Sequence, residues 1–223
     1  MKKIFGHRGL PNIYNENTFK SLNKALEICD FVETDVRITN DQELILYHDS
    51  TINKKKIEEL SLSEITKYLE YDISQIHLVK RENINGDVNF ELKINTEQKD
   101  LNKIFVRKII EIANPSDIIS SFNWETILNN RENFQSRYGI LIDKENQLFE
   151  SKAISNLDPE LMFMVKKEIF YSRNFELPKD RCVVWTVNER NEIMNILNMN
   201  VYGVVTDIGL SLIHISEPTR HLD

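Results

Sequence analysis

The chain has 223 residues, 41% of them hydrophobic and 28% charged, which suits a single globular domain, or at most two small ones, with a real core. A net charge of −7 excludes the broad basic face that nucleic-acid binding needs, and no run reaches the ~18 apolar residues of a membrane span. A phosphorylated small molecule stays open as a ligand, because a bound cation inverts the local field of an acidic protein.

Met1-Lys2-Lys3-Ile4-Phe5 runs straight into a strand that ends at His7-Arg8-Gly9. That leaves no room for a signal peptide, so a cytoplasmic protein is expected. From Asn17 to Cys29 the apolar residues Phe19, Leu22, Ala25, Leu26 and Cys29 recur at helical spacing, with Asn15 or Asn17 as the cap. Phe31 to Ile38 and Leu44 to His48 read as strands around the turn Thr39-Asn40-Asp41-Gln42. The gap between them is too short for a crossover helix. Leu60 to Leu69 reads as a helix, Asp72 to Asp87 is polar and poorly patterned, and Val88 to Ile94 is a strand.

Leu101 to Ala113 is an amphipathic helix closed by Asn114-Pro115. Strands follow at Ile118 to Phe122 and Tyr138 to Ile142, with a helix near Trp124 to Asn130 between them. Periodicity does not decide whether Leu161 to Val165 is a strand or a buried helical turn. Val183 to Val187 and Val201 to Thr206 are strands on either side of a helix at Glu189 to Leu197. With the ambiguous segment left aside, eight extended segments alternating with helices imply an α/β fold. The expectation is an irregular, closed (β/α)8 barrel that lacks the helix between strands 2 and 3. Cys29 and Cys182 stand in apolar surroundings without a motif and read as buried free thiols.

Side chains two apart on a strand point the same way, so Glu33 and Asp35 converge while Val32, Thr34 and Val36 face the opposite side. Two histidines, His7 and His48, end neighbouring apolar runs. Clustered anionic oxygens suit a hard divalent cation, and imidazoles titrate near neutrality. Together they point to metal-assisted chemistry on an anionic substrate.

Eight segments, in order, resemble the glycerophosphodiester phosphodiesterase family. They are His7-Arg8-Gly9, Glu16-Asn17-Thr18, Glu33-Thr34-Asp35-Val36, His48-Asp49, Glu91-Leu92-Lys93, Ser121-Phe122, Trp185-Thr186-Val187-Asn188 and Thr206-Asp207. The resemblance implies an irregular TIM barrel that hydrolyses glycerophosphodiesters to an alcohol and glycerol 3-phosphate with one divalent cation, Mg²⁺ or Ca²⁺. It implies Glu33, Asp35 and Glu91 as metal ligands, with carboxylates within a common ~5 Å cluster to match oxygen–metal distances. His7 and His48 become the acid–base pair. The nucleophile is then either the substrate's own glycerol hydroxyl, through a cyclic phosphate, or water activated at the cation.

Arg8 suits a phosphate by its planar fork and Lys93 as a point charge, although Lys93 also fits as a plain partner of Glu91. Asn17 fixes the loop after the first strand or is simply a helix cap; Asp49 supports His48. Phe122 and Trp185 read as an apolar wall against glycerol carbons or as ordinary core aromatics, and His77 as a surface residue. Between His48-Asp49 and Glu91 the family's Arg-Thr and Pro-Thr-Leu segments are replaced by Ser50-Thr51-Ile52-Asn53-Lys54-Lys55-Lys56, which leaves the alcohol group open.

Leu210 to Arg220 breaks the pattern where a final covering helix is expected, and reads like a translated sequencing adapter. The expected organisation is therefore one barrel domain at 1–209, its last helix truncated, followed by a non-native tail at 210–223. The partner expected is a small glycerophosphodiester, with no nucleic acid and no stable membrane association, and the oligomeric state is left open. Two further readings are a catalytically silent barrel that binds a phosphorylated ligand, kept open by the truncation, and a phospholipase-type barrel acting on lipids.

Overall fold

The computed structural model describes residues 2–68 and 77–208. In chain order the elements begin with β1 (Lys3–Gly6), α1 (Phe19–Leu26), β2 (Phe31–Ile38), β3 (Leu44–Leu46), β4 (Thr51–Ile52), β5 (Lys55–Lys56), α2 (Leu62–Tyr68) and β6 (His77–Leu78). They continue with β7 (Asp87–Leu92), α3 (Lys99–Ile112), β8 (Ile118–Ser121), α4 (Trp124–Asn130), β9 (Arg137–Ile142) and α5 (Gln147–Leu157). The last are β10 (Met162–Lys166), α6 (Lys167–Phe170), β11 (Cys182–Trp185), α7 (Arg190–Asn198) and β12 (Gly203–Thr206). The tail proposed at 210–223 lies outside the described residues.

Eight parallel strands, β1, β2 and β7 to β12, close into a barrel, because β1 pairs with both β2 and β12. This is the α/β barrel of TIM type, with helices outside. The period of two along each strand separates two cores. Phe5, Phe31, Leu141, Met162, Met164, Val183 and Val205 fill the barrel interior. Their neighbours Val32, Val36, Phe90, Ile119, Ile140, Phe163, Val184 and Val204 face outward under the helices. Helix α1 starts at Thr18, whose side chain accepts from the Ser21 amide, so the cap is Thr18 and neither Asn15 nor Asn17.

Two assignments read from sequence exchange places. Leu44 to His48 is no barrel strand: β3 runs antiparallel to the upper end of β2, with Val36 opposite Leu46. The ambiguous Leu161 to Val165 is a barrel strand, β10, flanked by β9 and β11. The count of eight therefore stands on a different membership. Between β2 and β7 no helix of the described residues takes the place of a barrel-covering crossover helix. Instead the excursion from residue 39 to 86 builds its own small core, in which α2 contributes Ile65 against Ile45, Ile52, Ile57 and Leu60. His77, expected at the surface, is half-buried in β6 with its ring edge-on to Phe19 at 4.9 Å.

Helix α5 has no counterpart in the sequence reading. Its buried face carries Leu148, Ser151 and Ser155, while Phe149 and Leu157 are 86% and 85% exposed. Such a helix shows no apolar stripe. Of the two thiols, which form no disulfide, Cys182 is buried and Cys29 half-buried, and burial pushes the Cys29 thiol up to about 12.

Closure of the barrel depends on Gly203, opposite Lys3 in the β1–β12 seam. A Cβ at residue 203 would lie 2.5 Å from the Lys3 carbonyl oxygen and 2.8 Å from the Phe5 ring. Gly203→Ala is expected to cost about 2 kcal/mol by overpacking, lowering the melting temperature by roughly 4–8 °C. Thermal unfolding followed by circular dichroism checks it.

Candidate active site

Strand pairing gathers the polar residues at the C-terminal mouth, the end of a TIM barrel where sites are built. Gly6 lies opposite Thr206, so the residues that follow, His7 and Asp207, emerge side by side. His7 Nδ1 is 2.6 Å from Asp207 Oδ1. Asn188 secures that carboxylate, donating from Nδ2 to Asp207 Oδ2 at 2.6 Å and accepting from the Asp207 amide at 2.9 Å. The other ring nitrogen, Nε2, is turned to Glu33 Oε2 at 3.9 Å. An aspartate on Nδ1 sets the tautomer with Nε2 unprotonated and directed at the cavity. Burial alone would lower the His7 pKa; the bond to Asp207 and the charge of Glu33 outweigh it and raise it.

On β2 and β7 the register sets Asp35 opposite Glu91 and Glu33 opposite Asn89. The ligand oxygens of Glu33, Asp35 and Glu91 all fall within 4.8 Å of one another, and all three residues are buried. Burial first, and then the neighbouring Asp35 charge, pushes the Glu33 carboxyl up to about 8. Burial also raises Glu91, with Lys93 opposing. Asp35 goes the other way: burial would raise it, but Lys93, Arg8 and a hydrogen bond from Asn17 hold it below the usual carboxylate range.

The donor set suits a hard divalent cation. Glu33 Oε1 is buried without a hydrogen-bond partner, an arrangement that is costly for a carboxylate unless a proton or a ligand occupies it. The three clustered groups are all carboxylates, the chemistry of Mg²⁺ or Ca²⁺ rather than of a soft metal.

Arg8 and Lys93 are both engaged with these acids. Arg8 Nε lies 3.0 Å from Asp35 Oδ2, and Arg8 Nη1 donates to both Glu16 carboxylate oxygens at 3.0 and 3.1 Å. Lys93 Nζ sits 2.9 Å from Asp35 Oδ1 and also pairs with Glu91. Asn17 is buried beneath the site. Its Nδ2 donates to Asp35 Oδ2 at 3.0 Å, and its Oδ1 accepts from the Asp35 amide at 3.0 Å and from Thr34 Oγ1 at 2.8 Å. It adopts φ +55°, the left-handed region in which asparagine is tolerated.

His48 arrives from the far side, two residues beyond β3, with Nδ1 2.9 Å from Asp49 Oδ1. His7, His48, Glu33, Glu91 and Lys93 line one cavity of about 270 Å³. Its apolar wall includes Leu141 and Met164, with Phe122 and Trp185 meeting edge to face at 5.9 Å. Phe122 is 42% exposed, which removes the core-aromatic reading for that residue. The sequence reading assigned no role to Asp207, Asn188, Glu16 or Arg37. Strand pairing carries the signal for Asp207, and the period of two after Glu33 and Asp35 carries it for Arg37.

Residues 7–208 match the profile of the glycerophosphoryl diester phosphodiesterase family. The chain belongs to that family. A family enzyme, the glycerophosphodiester phosphodiesterase of Caldanaerobacter subterraneus subsp. tengcongensis, is 23% identical over 245 residues, covering 95% of this chain and 96% of its own. A protein of unassigned function from Mycoplasma genitalium is 25% identical over 236 residues, covering 92% and 94%. Among solved structures, the glycerophosphodiester phosphodiesterase of Thermotoga maritima superposes with a TM-score of 0.79 at 24% identity, covering 96% of this chain and 98% of that one. An Oleispira antarctica phosphodiesterase, solved with sn-glycerol-3-phosphate, gives 0.73 at 15% identity, covering 95% of each chain. At these identities the two structures bear on the fold alone.

Proposed function

We propose that this chain hydrolyses glycerophosphodiesters to an alcohol and glycerol 3-phosphate, with His7 and His48 as the acid–base pair. The observation that carries the reading is a cluster of three buried carboxylates, two of which, Glu33 and Glu91, line the same cavity as the Asp207-oriented His7 and a second histidine, His48. The product bound to the Oleispira phosphodiesterase is consistent with it.

Glu33, Asp35 and Glu91 would hold one Mg²⁺ or Ca²⁺, which when bound neutralises charge developing on the phosphoryl oxygens. Arg8 and Lys93 stand beside the acids as donors to the non-bridging oxygens. His7, its Nδ1 held by Asp207, takes at Nε2 the proton of the attacking oxygen, either water or the substrate's own glycerol hydroxyl, the latter giving a cyclic phosphate that water then opens. His48 returns a proton to the departing alkoxide as the phosphorus–oxygen bond to the alcohol breaks. Phe122 and Trp185 form the apolar side against the glycerol carbons and exclude water there. No helix among the described residues is long and apolar enough to cross a membrane, and the substrate we propose is a small diester.

Glycerol 3-phosphate release from glycerophosphocholine and glycerophosphoethanolamine, assayed with Mg²⁺, with Ca²⁺ and after chelation, tests the reading. Cation-dependent release is expected; no release from any diester with either cation would overturn it.

A further inference from the structure

Resting on the role given to His48 above, we propose that Arg37 and Glu58 form a buried clamp that sets the position of His48. Glu33, Asp35 and Arg37 share one face of β2, so the guanidinium stands one step above the carboxylate cluster. The antiparallel ladder from β2 to β3 continues to the Tyr47 amide, which donates to the Asp35 carbonyl at 3.0 Å. At His48 the guanidinium takes over from the ladder. Arg37 Nε and Nη2 both donate to the His48 carbonyl, at 3.0 and 2.8 Å. Its remaining arm, Nη1, donates to Glu58 Oε1 at 3.0 Å.

Arg37 is 8% exposed and Glu58 3%, so each charge is sustained by the other. Glu58 is fixed in turn by its place in the small core beside Ile57 and Leu60, and by Asn95 Nδ2 at 3.4 Å, just beyond β7. The clamp thereby links β2, the excursion and β7 at one carbonyl. The imidazole itself is half-exposed, and its side-chain hydrogen bond is to the exposed neighbour Asp49. Arg37 thus grips the His48 backbone with two buried donors, whereas the ring contact to Asp49 lies at the surface. A planar fork can grip one carbonyl with two donors while keeping a third for a carboxylate, and a lysine cannot.

A double-mutant cycle with His48 tests the clamp. Arg37→Met is expected to lower kcat for glycerol 3-phosphate release by about 10²-fold with KM little changed, the cost of a misplaced proton carrier. Arg37→Lys, with donors but no fork, should fall between the two. In a His48→Ala background Arg37→Met should cost nothing further, because the group it positions is gone. Arg37→Met/Glu58→Leu removes both buried charges together, so it should recover the melting temperature without recovering kcat.

Recovery of kcat together with melting temperature, or full additivity with His48→Ala, would show a purely structural pair and overturn the proposal. Histidine-ring NMR gives a readout that does not need turnover. The His48 Cε1–Hε1 resonance should move and broaden in Arg37→Met while that of His7 stays. An unmoved His48 signal overturns the clamp, whereas absence of turnover in the parent chain counts against the hydrolase reading alone.

Discussion

Replacement of His7 by alanine is expected to lower kcat by about 10³-fold, within the range that a positioned proton carrier contributes, while the barrel stays folded. His7 lies at the barrel mouth and belongs to none of the apolar clusters, so its loss leaves the interior stacking of Phe5 on Phe31 in place. Asp207→Asn should be nearly as damaging, because an amide can donate to Nδ1 and so favours the tautomer with the proton on Nε2. The pH dependence separates the two variants. His7 must be neutral to accept a proton, so activity rises with pH through its raised pKa. Asp207→Asn removes a cause of that raising and should move the acidic limb to lower pH even as the plateau falls. Initial rates of glycerol 3-phosphate release across pH 5 to 9, with circular dichroism on each variant, measure both effects. A limb that moves to higher pH, or an Asp207→Asn plateau equal to the parent's, would remove Asp207 from the mechanism.

Cation binding at pH 7 is expected to release about one proton, because Glu33 must ionise to act as a ligand and its carboxyl is held up to about 8. Calorimetric titration of Mg²⁺ or Ca²⁺ in two buffers of different ionisation enthalpy reads the proton directly. Apparent affinity should climb with pH until about 8 and then level. The same shift has a stability consequence of definite sign. Glu33 holds its proton more tightly folded than unfolded, so the metal-free protein loses stability as pH rises from about 4.5 to about 8. Bound cation should reverse that loss and raise the melting temperature as its concentration increases. Asp35→Asn, which removes the central carboxylate and leaves Lys93 and Arg8 with a neutral partner, should abolish both the proton release and turnover. A pH-independent affinity would mean that Glu33 is already ionised without the cation.

The acidic cluster was legible because it follows from local rules. Glu33 and Asp35 are two apart on one strand, and Glu91 sits within an alternating run that includes Phe90 and Leu92. What escaped depends on contacts between distant segments. Asp207 meets His7 only because β1 and β12 close the barrel in a particular register. Glu58 lies in an Ile-Glu-Glu-Leu stretch with no assigned element, and only the folded 39–86 excursion brings it against Arg37. Strand membership failed at two points for the same reason. Leu44-Ile45-Leu46 and Met162-Phe163-Met164 are equally apolar, and only pairing direction distinguishes an antiparallel hairpin arm from a parallel barrel stave. Helix α5 was invisible because its serines face inward and Phe149 faces solvent, the reverse of the pattern that reveals a helix.

The excursion from residue 39 to 86 has its own apolar centre and carries His48, which Arg37 of the barrel strand β2 grips at its carbonyl. One imidazole is thus built into the scaffold and the other is delivered by an appended cassette. Swapping that cassette for the matching segment of a relative would exchange one proton carrier and its immediate surroundings in a single step, leaving the acidic floor and the Asp207-held histidine untouched.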